Sequence, residues 1–149
     1  MHGFTYNAHP ISAAAGRAVL RMLQRENLVR AADGLRAGSP AALLQVALDT
    51  LRECGAVGDV RGIGLLWGIE FVADKASKQP FAPELDFAGS VGQAAAKRGL
   101  MVYPMQGCVD GVAGDHLLIA PPAVITSEEI GWAAEQLGEA IDEAGVSVG

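Results

Sequence analysis

A threonine placed just ahead of a helix opening can serve an anion. Thr5 stands in Gly3-Phe4-Thr5-Tyr6-Asn7-Ala8-His9-Pro10, and the small-residue run Ser12-Ala13-Ala14-Ala15-Gly16 follows at once. Its hydroxyl can donate to a phosphate oxygen, and backbone N–H groups near a helix start add to such a site. The same residues have a structural use: Thr5 and Asn7 can cap the helix that Pro10 begins. Arg61 carries a guanidinium able to pair with Asp59 or Glu70, or to lie near a substrate entrance. Asp115-His116 invites a general-base reading, against a plainer role at the entry to a strand. Lys75 and Lys78 sit in a polar stretch and Lys97 at a helix end, so all three read as solvated amines. His2, His9 and His116 lack ligand spacing, and no metal site is expected. Cys54 and Cys108 make neither a metal pair nor a disulfide framework and read as reduced thiols of a cytoplasmic protein.

These residues are carried by a chain of 149 residues, half of them apolar and only 5% aromatic. Its core must therefore be built from Ala, Val, Leu and Ile, which suits helices packed closely on a sheet. The formal net charge of -6 argues against nucleic acid, whose binding needs clustered Lys and Arg. No apolar run approaches the roughly 20 residues of a membrane span, and no charged-then-apolar leader opens the chain.

The periodicity places the elements. Ala15, Val19, Met22 and Leu23 fall at helical spacing behind Pro10, which predicts a helix over residues 10–26. A second helical stretch covers residues 28–36 until Gly38-Ser39-Pro40 interrupts it. Ser39 is then the N-cap of a third helix, with Leu43, Leu44, Ala47, Leu48 and Leu51 as its stripe. From Gly55 the pattern changes. Residues 57–61 read as a strand, Gly62-Ile63-Gly64 as a turn, and residues 65–71 as a strand, with Leu65, Trp67, Ile69 and Phe71 on one face. The glycines serve the turn and a close backbone approach over Gly68. A helix over 84–98 stopped by Gly99, a strand over 100–104, a Gly-rich loop over 106–115 and a strand over 116–120 follow. Thr126 and Glu129 form a capping box for a last helix striped by Ile130, Ala133, Leu137 and Ile141. The order gives an α+β fold, a small, mostly antiparallel sheet covered on one side by helices and preceded by a long helical segment.

Three motifs carry a family resemblance. The opening segment resembles the Gly-x-Thr-Tyr-x-x-His-Pro stretch of class III aminotransferases, the pyridoxal-phosphate (PLP) enzymes of fold type I. Arg61-Gly62-Ile63-Gly64-Leu65-Leu66-Trp67-Gly68-Ile69-Glu70 resembles the Arg-Gly-x-Gly-Leu-x-x-Gly-x-Glu signature of their C-terminal domain. Gly114-Asp115-His116-Leu117-Leu118-Ile119-Ala120-Pro121-Pro122 resembles the Gly-Asp-His-x-x-x-Ala-Pro-Pro region of the ω-aminotransferase branch. The resemblance spans nearly all of this chain but roughly the last third of a typical family member. It implies PLP as cofactor, an amine or amino acid and a keto acid as substrates, and a homodimer. It implies that Thr5 contacts the PLP phosphate of the opposite subunit, with Tyr6 and Arg61 as substrate-pocket candidates. Ornithine-type members carry a carboxylate-binding arginine where this chain has Leu118, so an amine, or an amino acid held by another group, is expected instead of ornithine.

In the family the Schiff-base lysine and the acid against the pyridine nitrogen lie upstream of the Thr-Tyr segment, and no lysine here matches. Residues 1–54 are thus expected to link from a large PLP-binding domain, and residues 55–149 to form the small C-terminal domain. The chain by itself is expected to be inactive. The alternative is a non-catalytic truncated domain or a partner-binding module.

Overall fold

The computed structural model describes residues 3–148. Three helices come first: α1 (Pro10–Arg25), the single turn α2 (Leu28–Ala31) and α3 (Pro40–Asp49), which a 3-10 turn at Thr50–Glu53 extends. The hairpin β1 (Val57–Ile63) and β2 (Leu66–Phe71) follows, then α4 (Phe87–Lys97), β3 (Tyr103–Met105), β4 (His116–Ile119) and α5 (Ser127–Val148). The strands form one antiparallel sheet in the order β1-β2-β4-β3. α+β is the observed class.

Period two decides the faces of this sheet. Trp67, Ile69 and Phe71 of β2 and Leu117 of β4 are buried beneath the helices. α3, α4 and α5 cover that face with Leu44, Leu48, Phe87, Val91, Leu137 and Ile141. Three phenylalanine rings cluster: Phe87 stacks on Phe81 at 4.2 Å between centroids and meets Phe71 edge-on at 5.1 Å. On the opposite face of the sheet Arg61 and Tyr103 are exposed.

Several ends lie where the sequence places them. Ser39 Oγ accepts from Ala42 N at 3.1 Å, with Pro40 next to it. Gly99 at φ +85° follows α4. Thr126 and Glu129 bond reciprocally ahead of α5, at 3.2 and 2.9 Å.

Other details differ. The hairpin turns at Gly64-Leu65, because Ile63 pairs with Leu66 and β1 runs through Gly62. Gly64, at φ +61°, takes the first central position of this two-residue turn, the position that a type II′ turn reserves for glycine. The close approach is at Gly62, where a Cβ would collide with the Trp67 ring; Gly68 has ordinary space. α2 ends at Ala31, since Asp33 takes Leu35 N onto its side chain and the chain turns towards Ser39. α4 starts at Phe87 after a 3-10 turn at Pro83–Leu85, because Asp86 adopts φ 42° and caps the new helix through Gly89 N. The strand expected over 100–104 is shorter and lies later, at Tyr103–Met105.

Candidate cofactor and substrate surface

Thr5 occupies a tight turn before α1. Asn7 N donates to Phe4 O at 3.0 Å and His9 N to Tyr6 O at 3.2 Å, so the turn is held by backbone while its side chains face solvent. The capping role open to Thr5 and Asn7 falls instead to His9, whose Nδ1 accepts from Ser12 N at 3.4 Å and lies 3.2 Å from Ser12 Oγ. The Tyr6 ring meets His9 edge-on at 5.9 Å and stays 77% exposed. The Thr5 hydroxyl is thereby left to solvent at the mouth of a 16-residue helix. Such a donor fits a phosphate oxygen, and α1 has no acid in its first turn to repel the anion. No residue of α1 is buried, so the turn rides on a helix that packs on α2 and on little else within the chain.

Arg61 lies on the sheet face opposite the core. It donates to Asp59 Oδ2 at 3.0 Å and pairs with Glu70, so both partners foreseen for it are used together. Pairing with Glu70, then with Asp59, pushes its pKa up still further. Arg52 joins the chain of charges through Asp49 and Asp59. Burial disfavours ionised Asp59, but bonds from Arg61 and Arg52 outweigh it and hold its carboxyl below the ordinary value.

Exposed pairs of this kind contribute little. Arg61→Gln should therefore lower stability by no more than about 1 kcal/mol at neutral pH, as read by urea unfolding. The sign of the pH dependence follows from the depressed Asp59 value. Its contribution is full above the ordinary value of 3.8 and is lost as pH falls through the lower folded value. The gap between wild type and variant should close there. A loss above about 2 kcal/mol would show that Arg61 does more than pin the hairpin.

Asp115 has the plainer of its two roles. It is fully buried, its Oδ1 accepts from Ala88 N of α4 at 3.0 Å and from Gln106 Nε2 at 3.3 Å, and its carbonyl accepts from Phe71 N at 2.9 Å. It ties the Gly-rich loop to α4 and to the entry of β4. Its Oδ2 and His116 Nδ1 are buried without a partner, and no hydrogen bond joins the two residues.

The register assembles a row that the motifs do not reveal. Gly68 pairs with Arg61 on one side and Leu118 on the other, and Leu118 pairs with Tyr103. Directly paired residues share a face, so Arg61, Gly68, Leu118 and Tyr103 form one line across the side opposite the core. The next row joins Asp59, Glu70, His116 and Met105. Leu118 thus stands between a glycine and an exposed tyrosine. It also lines an apolar groove of about 700 Å³ with Leu66, Met101, Tyr103 and Trp132. Period two in the sequence foretells which residues share a face of one strand, but not which strands are neighbours.

The three lysines are engaged at the surface. Lys75 donates to the carbonyls of Arg52 and Cys54 at 2.6 and 2.9 Å, Lys78 to that of Gly58 at 2.6 Å, and Lys97 lies 3.8 Å from Glu143. Burial pushes both the Cys54 and Cys108 thiols up, which keeps them protonated. Among the described residues there is no cluster that could hold a metal, and no helix is long and apolar enough to cross a membrane.

This architecture and these motifs have counterparts in known proteins. The sequence profile of the class-III aminotransferases matches residues 1–141. An uncharacterized aminotransferase of Schizosaccharomyces pombe is 41% identical over 139 residues, which is 93% of this chain and 29% of that protein. Among solved structures, a transaminase from an ancestral-reconstruction study superposes with a TM-score of 0.82 at 37% identity, over 99% of this chain and 30% of its own. A transaminase of the marine bacterium Virgibacillus superposes at 0.86 and 27% identity, over 100% and 32%. The chain belongs to the class III aminotransferase family, whose members are PLP enzymes of fold type I. It spans about 30% of the length of these relatives and so is a partial region of such an enzyme.

Proposed function

We propose that this chain is the C-terminal portion of a PLP-dependent aminotransferase that moves an amino group between an amine or amino acid and a keto acid in the cytoplasm. The match over residues 1–141, with the Thr-Tyr segment intact at its head, carries the reading. In a homodimer Thr5 would donate to the PLP phosphate held by the opposite subunit, and Tyr6 and Arg61 would stand at the substrate pocket. PLP supplies the electron sink for bond changes at the amine carbon; these residues bind and orient. Leu118 and Tyr103 would present an apolar wall, which favours an amine, or an amino acid gripped elsewhere, over ornithine. Residues 1–54 would lead from a large PLP-binding domain into the small domain at 55–149, with α3 already packed against α5.

A chimera tests this reading. The corresponding 29% of the Schizosaccharomyces pombe relative is replaced by this chain, and the product is assayed for retained PLP and for transamination. Both should survive; a folded chimera without PLP would overturn the assignment. By itself the chain should be inactive, because each of its lysines is exposed and tied to backbone or carboxylate groups. Incubation with PLP, borohydride reduction and mass spectrometry should label no lysine near one-to-one. Stoichiometric labelling of Lys75, Lys78 or Lys97 would contradict that.

A further inference from the structure

The Gly-rich loop between β3 and β4 is tied within itself and clasped at its base. Inside it Val109 N donates to Ala113 O at 3.0 Å and Gly111 N to Gly107 O at 3.1 Å. Asp110 Oδ1 accepts from Val112 N and Ala113 N at 2.9 and 2.7 Å. Gly107 and Gly114, at φ +88° and +100°, stand at its two ends. Gln106 closes the base: its side-chain amide donates to Pro83 O at 3.0 Å and to Asp115 Oδ1 at 3.3 Å. Both hydrogens of that amide are thus used, one towards the turn before α4 and one towards the buried residue ahead of β4. Asp115 is itself fixed, since its Oδ1 also accepts from Ala88 N and its carbonyl from Phe71 N. The loop springs from the row of Glu70, His116 and Met105. Burial, then Glu70, push the Cys108 thiol up while Arg61 opposes them, so the loop lies within reach of both charges. Two apolar side chains on it, Val109 and Val112, are 65% and 66% exposed.

We infer that Gln106 is a positioning residue: by bridging Pro83 and Asp115 it holds this loop as an apolar lip beside Arg61, and the lip selects amines with apolar substituents. A mobile loop would lose entropy each time it closed on a substrate, whereas a clasped one presents Val109 and Val112 already in place. The selection rests on the proposed part of this chain in transamination. The clasp lies wholly within the 149 residues and can be tested without it.

Amide nitrogen relaxation of the whole chain, read by NMR, tests the clasp. Wild-type loop amides should show order parameters of about 0.85, like those of a rigid strand. Gln106→Glu sets an acceptor against the Pro83 carbonyl and Asp115. It should lower the loop values below about 0.6, while Leu117 and Ile69 keep theirs. Gln106→Lys restores a donor and should return the loop to wild-type values. Loop amides indifferent to Gln106→Glu, or not recovered by Gln106→Lys, would overturn the positioning role. The chimera with the Schizosaccharomyces pombe relative tests the selection, with straight-chain primary amines from ethylamine to hexylamine as donors. KM should fall as the chain lengthens, because each added methylene finds the lip. Gln106→Glu should raise the hexylamine KM about fivefold or more and leave that of ethylamine, kcat and PLP retention nearly as they were. Gln106→Lys should restore the dependence on length. An active chimera that refuses the longer amines, or whose KM ignores Gln106→Glu, would overturn the lip. A chimera without PLP would instead count against the transaminase reading, and the relaxation of the whole chain would still decide the clasp.

Discussion

Thr5→Ala is expected to weaken PLP retention about ten- to a hundredfold once this chain is part of a complete enzyme. The hydroxyl would donate to a phosphate dianion, and a charge-assisted hydrogen bond of that kind contributes roughly 1.5–3 kcal/mol. Thr5 serves no helix cap, because His9 takes that role, so its loss should leave the fold untouched. Thr5→Ser keeps the donor and should keep most of the affinity. The effect should appear in cofactor titration more than in the rate at saturating PLP, since the phosphate takes no part in the bond changes. Unchanged titration of the alanine variant would remove the phosphate role and leave Thr5 as a residue of the entry turn.

A still larger effect is expected on the fold from Phe87→Ala. The ring is fully buried, stacked on Phe81 and edge-on to Phe71, in a core otherwise built mostly from aliphatic side chains. Truncating a buried phenylalanine costs about 3–5 kcal/mol, because transfer energy is lost and the cavity refills only in part. Domains are stable by only about 5–15 kcal/mol, so the variant should be largely unfolded well below the wild-type melting temperature. Phe81→Ala should cost less, since that ring is only partly buried. Thermal unfolding followed by circular dichroism reads both. A Phe87→Ala loss under about 1 kcal/mol would mean that the core does not depend on this cluster.

Legibility differed by element and for physical reasons. The capping box of Thr126 and Glu129 and the Ser39-Pro40 helix start are local, each satisfied by groups three residues away, and both are found as expected. The hairpin is legible as a hairpin, yet its turn falls at Gly64-Leu65, because pairing register rather than glycine count decides which residue must take positive φ. His9 as the cap of α1 depends on a ring rotamer that no sequence pattern encodes. Asp115 reads as half of a polar pair, and only packing shows it anchored to Ala88 across 27 residues of chain.

For the candidate site the division is similar. Local sequence determined the start of α1 at Pro10 behind Thr5, the alternation that puts Leu118 and His116 on one face of β4, and the leucine in place of an arginine at position 118. These follow from residue type and from the two-residue and 3.6-residue periods, which operate within a few residues. Tertiary structure decided that Arg61, Gly68, Leu118 and Tyr103 form one row, and that α1 leaves its apolar stripe uncovered. Both depend on which strands neighbour one another and on what packs where, and such long-range pairings are settled by the burial of the whole core rather than by any one segment.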